Sequence, residues 1–120
     1  MIALDSQVAY VGQEKAILVG VYNREVTKEK AEEYLEELQL LTKTAGAATF
    51  AVFLQKMDRV HSGTYVGKGK LAEIKAYVDL HKIDLVVFDD DLTPSQVRNI
   101  DRELEVKVLD RSAIILHIFS

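Results

Sequence analysis

A chain of 120 residues with 48% hydrophobic and 28% charged residues has the size and composition of one globular domain and is too apolar for a disordered segment. The absence of cysteine excludes a disulfide framework and thiolate metal sites, and a formal net charge of −4 argues against global attraction to nucleic acid. The N-terminus, MIALDSQVAYVGQEK, lacks the basic start and long apolar run of a signal peptide, and the longest apolar stretch, from Ala113 to Phe119, is too short to span a bilayer. A cytoplasmic location without membrane attachment is the expectation.

Residues 15–22, KAILVGVY, form an apolar, β-rich run of strand length. From Thr27 the period changes. Ala31, Tyr34, Leu35, Leu38 and Leu41 recur at helical spacing with glutamates between them, Thr27 serving as N-cap and Gly46 as stop. Residues 47–56, AATFAVFLQK, read as a second strand, and 57–68, MDRVHSGTYVGK, as the one long loop. A loop of that length in a compact domain is more often functional than idle. A helix from Gly69 to His81 follows, with Leu71, Ile74 and Val78 on its apolar face. Residues 84–89, DLVVFD, are a third strand, apolar enough to be buried on both faces. In Thr93-Pro94-Ser95-Gln96 a threonine N-cap, a proline at the first helical position and a glutamine at the third make a capping box, and Val97, Ile100 and Leu104 give that helix its inward face. Residues 106–110, VKVLD, are a fourth strand, and Asp110 can cap a last helix running into Ile114–Phe119.

Strands interleaved with helices, with no hairpin signal between them, imply βαβ crossovers. The expected fold is therefore a single α/β domain over 1–120, a mostly parallel four-stranded sheet with helices on both faces. Ile114, Ile115, Leu116, Ile118 and Phe119 make the last helix apolar nearly all round. Either it folds back onto the sheet or the chain is part of a longer protein, and the second is favoured because a free terminal helix would leave apolar surface wet.

Charge is unevenly spread. Residues 55–70 carry Lys56, Arg59, Lys68 and Lys70 against Asp58 alone, whereas 84–105 carry seven acids against Arg98 and Arg102. Gly67-Lys68-Gly69-Lys70, opening a helix, could bring backbone N–H groups and ammonium groups to a phosphate, or could be a flexible turn with solvated lysines. It is not a P-loop, because one residue separates its glycines and Leu71 follows the lysine. Asp89-Asp90-Asp91 end a buried strand, where α/β sheets bind ligands, and could hold Mg²⁺; solvated loop acids are the favoured reading. His61 lies in the basic loop and could touch an anion, and Tyr65 could stack on a base or pack at the loop's foot. His61, His81 and His117 show no metal-ligand spacing, and no nucleophile elbow is present, so no catalytic residue and no metal site is assigned.

Several motifs in register then resemble one family. Thr64-Tyr65-Val66-Gly67-Lys68-Gly69-Lys70, Glu73-Ile74, Val87-Phe88-Asp89, Leu92-Thr93-Pro94-Ser95-Gln96, Arg98-Asn99 and Val108-Leu109-Asp110-Arg111 with Ile114-Ile115-Leu116 are similar to the N-terminal domain of HflX-type GTPases. The N-terminal half agrees more loosely, through Ala16–Val21 and Leu41–Ala47. The resemblance implies a cytoplasmic protein that binds the large ribosomal subunit and its rRNA and splits ribosomes. It also implies a downstream helical linker and a G domain that holds GTP and Mg²⁺, with no cofactor in this part. Two departures stand out: His117 where the family usually has aspartate, and a loop from Met57 to Gly63 without prolines, which suggests a floppier loop ordered on a partner.

The expectation is thus an RNA-contacting, ribosome-binding domain that is not itself an enzyme. Its contact residues would be Lys56, Arg59, His61, Tyr65, Gly67, Lys68, Gly69 and Lys70, with Arg98 and Arg102 as auxiliaries. The alternatives are an ATP- or GTP-binding α/β domain and a docking module that positions the G domain.

Overall fold

The computed structural model describes residue 4 and residues 13–119. Four strands, β1 (Glu14–Tyr22), β2 (Ala47–Lys56), β3 (Leu85–Phe88) and β4 (Lys107–Asp110), alternate with α1 (Lys28–Thr44), α2 (Lys68–His81), α3 (Pro94–Leu104) and α4 (Arg111–Phe119). The strands form one sheet in the order β2-β1-β3-β4, and every pairing is parallel. This is the expected α/β architecture.

Two buried layers show why the sheet strands read as nearly continuous apolar runs. Ile17 and Val19 of β1 pack with Val86 and Phe88 of β3 against Leu71, Ile74 and Val78 of α2 and Ile100 and Leu104 of α3. The alternate residues Ala16, Leu18, Leu85 and Val87 point the other way, against Leu35 and Leu38 of α1 and Ile114 of α4. Strand residues alternate faces, so a sheet covered on both sides needs apolar residues at successive positions. Each large side chain buried here contributes roughly 1.5–3 kcal/mol.

Local chemistry sets the element boundaries. The Thr27 side chain accepts from the Lys30 N–H, and Gly46, at φ 98°, follows the end of α1 in a conformation open to glycine. Gly20 has a different cause: a Cβ there would lie 3.1 Å from Leu35 Cδ1, so its lack of side chain lets α1 sit close on β1. The capping box of α3 is complete, Thr93 Oγ1 accepting from Gln96 N and Gln96 Oε1 from Thr93 N. Asp110 Oδ1 accepts from Ala113 N at 2.8 Å, the expected cap of α4. The ends of α2 and α3 carry no glycine; Lys82 and Glu105 adopt left-handed conformations there, at φ 54° and 56°. β3 is shorter than 84–89, because the flanking aspartates leave the strand while still bonding to β1: Asp84 N–H reaches Lys15 O and Asp89 N–H reaches Val19 O.

After β2 the chain crosses back over β1 to build β3, so the lateral direction of strand addition reverses between β1 and β3. The loops leaving the carboxyl ends of the strands gather at that edge, where ligands of open α/β sheets bind. The long loop, now 57–67, and the three aspartates both lie there.

Candidate nucleic-acid interface

The loop before α2 is folded onto the body of the domain. His61 and Tyr65 exchange both backbone hydrogen bonds, closing a tight turn. Inside that turn His61 Nδ1 accepts from the N–H groups of Gly63 and Thr64, at 3.0 and 3.2 Å. From α3, Gln96 Nε2 donates to His61 O and Asn99 Nδ2 to Gly63 O, at 2.9 and 3.0 Å. Side-chain clamps from a distant helix thus hold the loop, contacts that its own residues do not signal.

Tyr65 anchors the other end of the turn. Its ring is 2% exposed and meets Phe88 edge-on at 5.7 Å, and its hydroxyl donates to Asp90 Oδ2 at 3.2 Å. Burial, with Asp90 beside it, pushes the phenol well above its ordinary pKa, so it stays a hydrogen-bond donor. Of the two roles open to Tyr65 in the sequence, the structure uses packing, and the buried ring offers no face to a base. Its backbone is in the left-handed region, at φ 66°, a conformation that costs a non-glycine residue about 1–2 kcal/mol.

The glycine-lysine turn forms the start of α2, with Gly67 as a cap that makes no side-chain bond. The Gly67 N–H donates to Gln55 Oε1 at 3.0 Å, so that group is engaged by β2 and is not offered to a phosphate. Lys70 reaches Glu73 at 3.2 Å and is only 21% exposed. Lys68 and Gly69 are exposed at the helix start, and Lys56 and Arg59 are exposed at the end of β2 and in the loop. Arg98 and Arg102 are exposed on α3, Arg98 bonding Ser95 Oγ at 3.2 Å. Among the described residues no ion pair engages Lys56, Arg59, Lys68 or Arg102. These cations therefore keep their charge available for an anionic partner.

A groove of about 600 Å³ runs between α2 and α3 beside this loop, lined by His61, Thr64, Lys68, Leu71, Ala72, Lys75, Ala76 and Glu103. Lys75 is occupied there, held by Asp79, Glu105 and the carbonyl of Leu104.

The aspartates are each taken up by the fold. Asp89 pairs with Arg111, whose other nitrogen reaches Glu37 Oε2 at 3.1 Å, so one guanidinium ties the segment after β3 to α4 and α1. Burial raises the Asp89 pKa above the usual carboxylate value, and the hydrogen bond and charge of Arg111 only partly offset it. Asp90 accepts from Tyr65 and from the Asp91 N–H, and Asp91 accepts from Ser112 Oγ. Among the described residues no three His, Asp or Glu side chains are grouped to hold a metal ion.

Comparison with known proteins decides the family. The family model described as GTP-binding GTPase N-terminal matches residues 32–120. The chain belongs to that family. It is similar to the GTPase HflX of Flavobacterium psychrophilum, 47% identical over 107 residues that make up 89% of this chain and 26% of the relative. The GTPase HflX of Escherichia coli is 36% identical over 111 residues, 92% of this chain and 25% of that protein. A crystal structure of a GTP-binding protein from the hyperthermophilic archaeon Sulfolobus solfataricus in complex with GDP superposes with a TM-score of 0.60 at 26% identity, covering 89% of this chain and 30% of that one. The chain thus corresponds to an HflX N-terminal domain and spans about a quarter of the curated relatives it matches. No helix among the described residues is long and apolar enough to cross a membrane.

Proposed function

We propose that this domain is the ribosome-contacting part of an HflX-like GTPase and binds rRNA of the large subunit in the cytoplasm. The observation that carries the reading is the pinned loop. Clamps from Gln96 and Asn99 fix it beside the start of α2, so Lys56, Arg59 and Lys68 are presented from an ordered edge, next to Gly69 and the partly covered Lys70. A preorganised cationic edge loses little conformational entropy on meeting a phosphate backbone. His61 and Gly67 act by shaping the turn, and Tyr65 by holding it down. Arg98 and Arg102 extend the cationic surface along α3. The acidic remainder of the domain disfavours unselective RNA binding.

GTP hydrolysis belongs, in this reading, to a G domain elsewhere in the full-length protein, where GTP and Mg²⁺ bind; a linker joins it to this domain. The present residues do not suit a nucleotide phosphate loop, since no G-x-x-x-x-G-K-[ST] occurs and the Gly67 N–H is already bonded.

Co-sedimentation of the chain with purified large subunits across a salt series, with small subunits as control, tests the proposal. Each lysine removed from a phosphate contact lowers the salt slope by about 0.7–0.9. Lys68→Ala with Lys70→Ala is expected to weaken binding and flatten that slope. An unchanged slope would remove these lysines from the interface, and absence of large-subunit binding at low salt would overturn the reading for this domain alone.

A further inference from the structure

The groove between α2 and α3 is chemically two-sided. Its floor is apolar, made by the buried Leu71 and the exposed small residues Ala72 and Ala76. Lys68 stands at the loop side without an ion-pair partner among the described residues, and Glu103 stands on the α3 side. His61 completes the loop side. Because Nδ1 accepts from two backbone N–H groups, Nε2 is the ring nitrogen left to donate. The volume of about 600 Å³ lies within the roughly 300–1,000 Å³ of small-ligand sites.

An apolar floor, the Lys68 cation and the His61 ring at one side and the Glu103 carboxylate at the other match one unit of RNA. The ring of an unstacked base covers the alanines, its phosphate meets Lys68 and His61, and Glu103 accepts from a base amino group or a ribose hydroxyl. We infer that the α2–α3 groove seats a single unstacked nucleotide of a looped or single-stranded RNA. Unstacked bases of single-stranded RNA are held on protein side chains, most often aromatic rings; here Leu71 and the two alanines supply the apolar contact. The inference rests on the RNA reading above and adds a specific seat to it. Lys68 serves both, whereas Ala72 and Ala76 serve only the groove.

The test separates the two. Ala72→Leu changes no charge and fills the floor from an exposed helical position, where leucine is a good helix former. Amide NMR shifts of the chain would be followed on titration with a single-stranded RNA hexamer, with adenosine monophosphate and with inorganic phosphate. The expected result is that the hexamer moves the amides of Leu71, Ala72 and Ala76, and that Ala72→Leu weakens hexamer binding at least tenfold. Its urea midpoint should remain that of the parent chain, and Ala76→Leu repeats the test should Ala72→Leu unfold. Parent-like hexamer binding by a folded Ala72→Leu chain overturns the groove. Should Lys68→Ala with Lys70→Ala still flatten the ribosome salt slope in that case, the RNA reading survives without it. Shifts at the floor with adenosine monophosphate but not with the hexamer overturn RNA as the source. Shifts that inorganic phosphate reproduces in full overturn the seating of a base.

Discussion

Replacing Tyr65 in three ways separates its ring, its hydroxyl and its backbone. Tyr65→Phe keeps the buried ring against Phe88 and removes only the bond to Asp90. Asp90 is exposed and regains water, so the cost should be about 1 kcal/mol. Tyr65→Ala also empties a site that is 2% exposed, and aromatic-to-alanine changes in cores cost about 3–5 kcal/mol. Tyr65→Gly loses the same ring but relieves the backbone at φ 66°, so it should be about 1 kcal/mol less destabilising than alanine. Urea unfolding followed by far-UV circular dichroism gives the three values. Glycine as costly as alanine would refute the strained-backbone argument, and a cost-free Tyr65→Phe would refute the hydroxyl's part. The same proteins test the packing role directly, because Tyr65→Phe should sediment with large subunits like the parent. Loss of binding in a fully stable Tyr65→Phe chain would mean that the hydroxyl faces RNA after all.

Three further changes probe the supports of the edge and of the sheet end beside it. Gln96→Ala removes half of the α3 capping box and the clamp on His61 O, and should cost about 1–3 kcal/mol in urea unfolding; a loss under a few tenths would mean that the loop is held elsewhere. Asp89 has a folded pKa raised by burial, so the folded chain binds its proton more tightly than the unfolded chain. Its contribution to stability therefore falls as pH rises from the ordinary carboxylate value through the raised one. Arg111→Met, which withdraws the offsetting charge, should steepen that fall, and Asp89→Asn should abolish this component; stability profiles of the two variants running parallel to the parent would contradict the assignment.

Much of the fold was written locally. Helical spacing in 27–46, the capping box at Thr93 and the unbroken apolar run of β3 each located an element because the determining interactions lie within one turn or one strand. Family membership was legible for a similar reason, as short motifs kept their order and spacing. The end of α2 at His81 was legible too, but the left-handed caps at Lys82 and Glu105 were not, since neither is a glycine or an asparagine, the residues that usually signal such a cap.

What the sequence determined by itself was therefore the α/β class, the order of elements and where cations concentrate along the chain. Only the tertiary structure decided which of them are available: Lys70 pairs with Glu73, Gly67 is engaged by Gln55, and Tyr65 turns inward to Phe88 and Asp90. The loop's order, too, comes from Gln96 and Asn99, more than thirty positions away. Local propensities depend on neighbours in sequence, whereas burial and pairing depend on neighbours in space, and parallel crossovers bring the ends of separate strands to one edge.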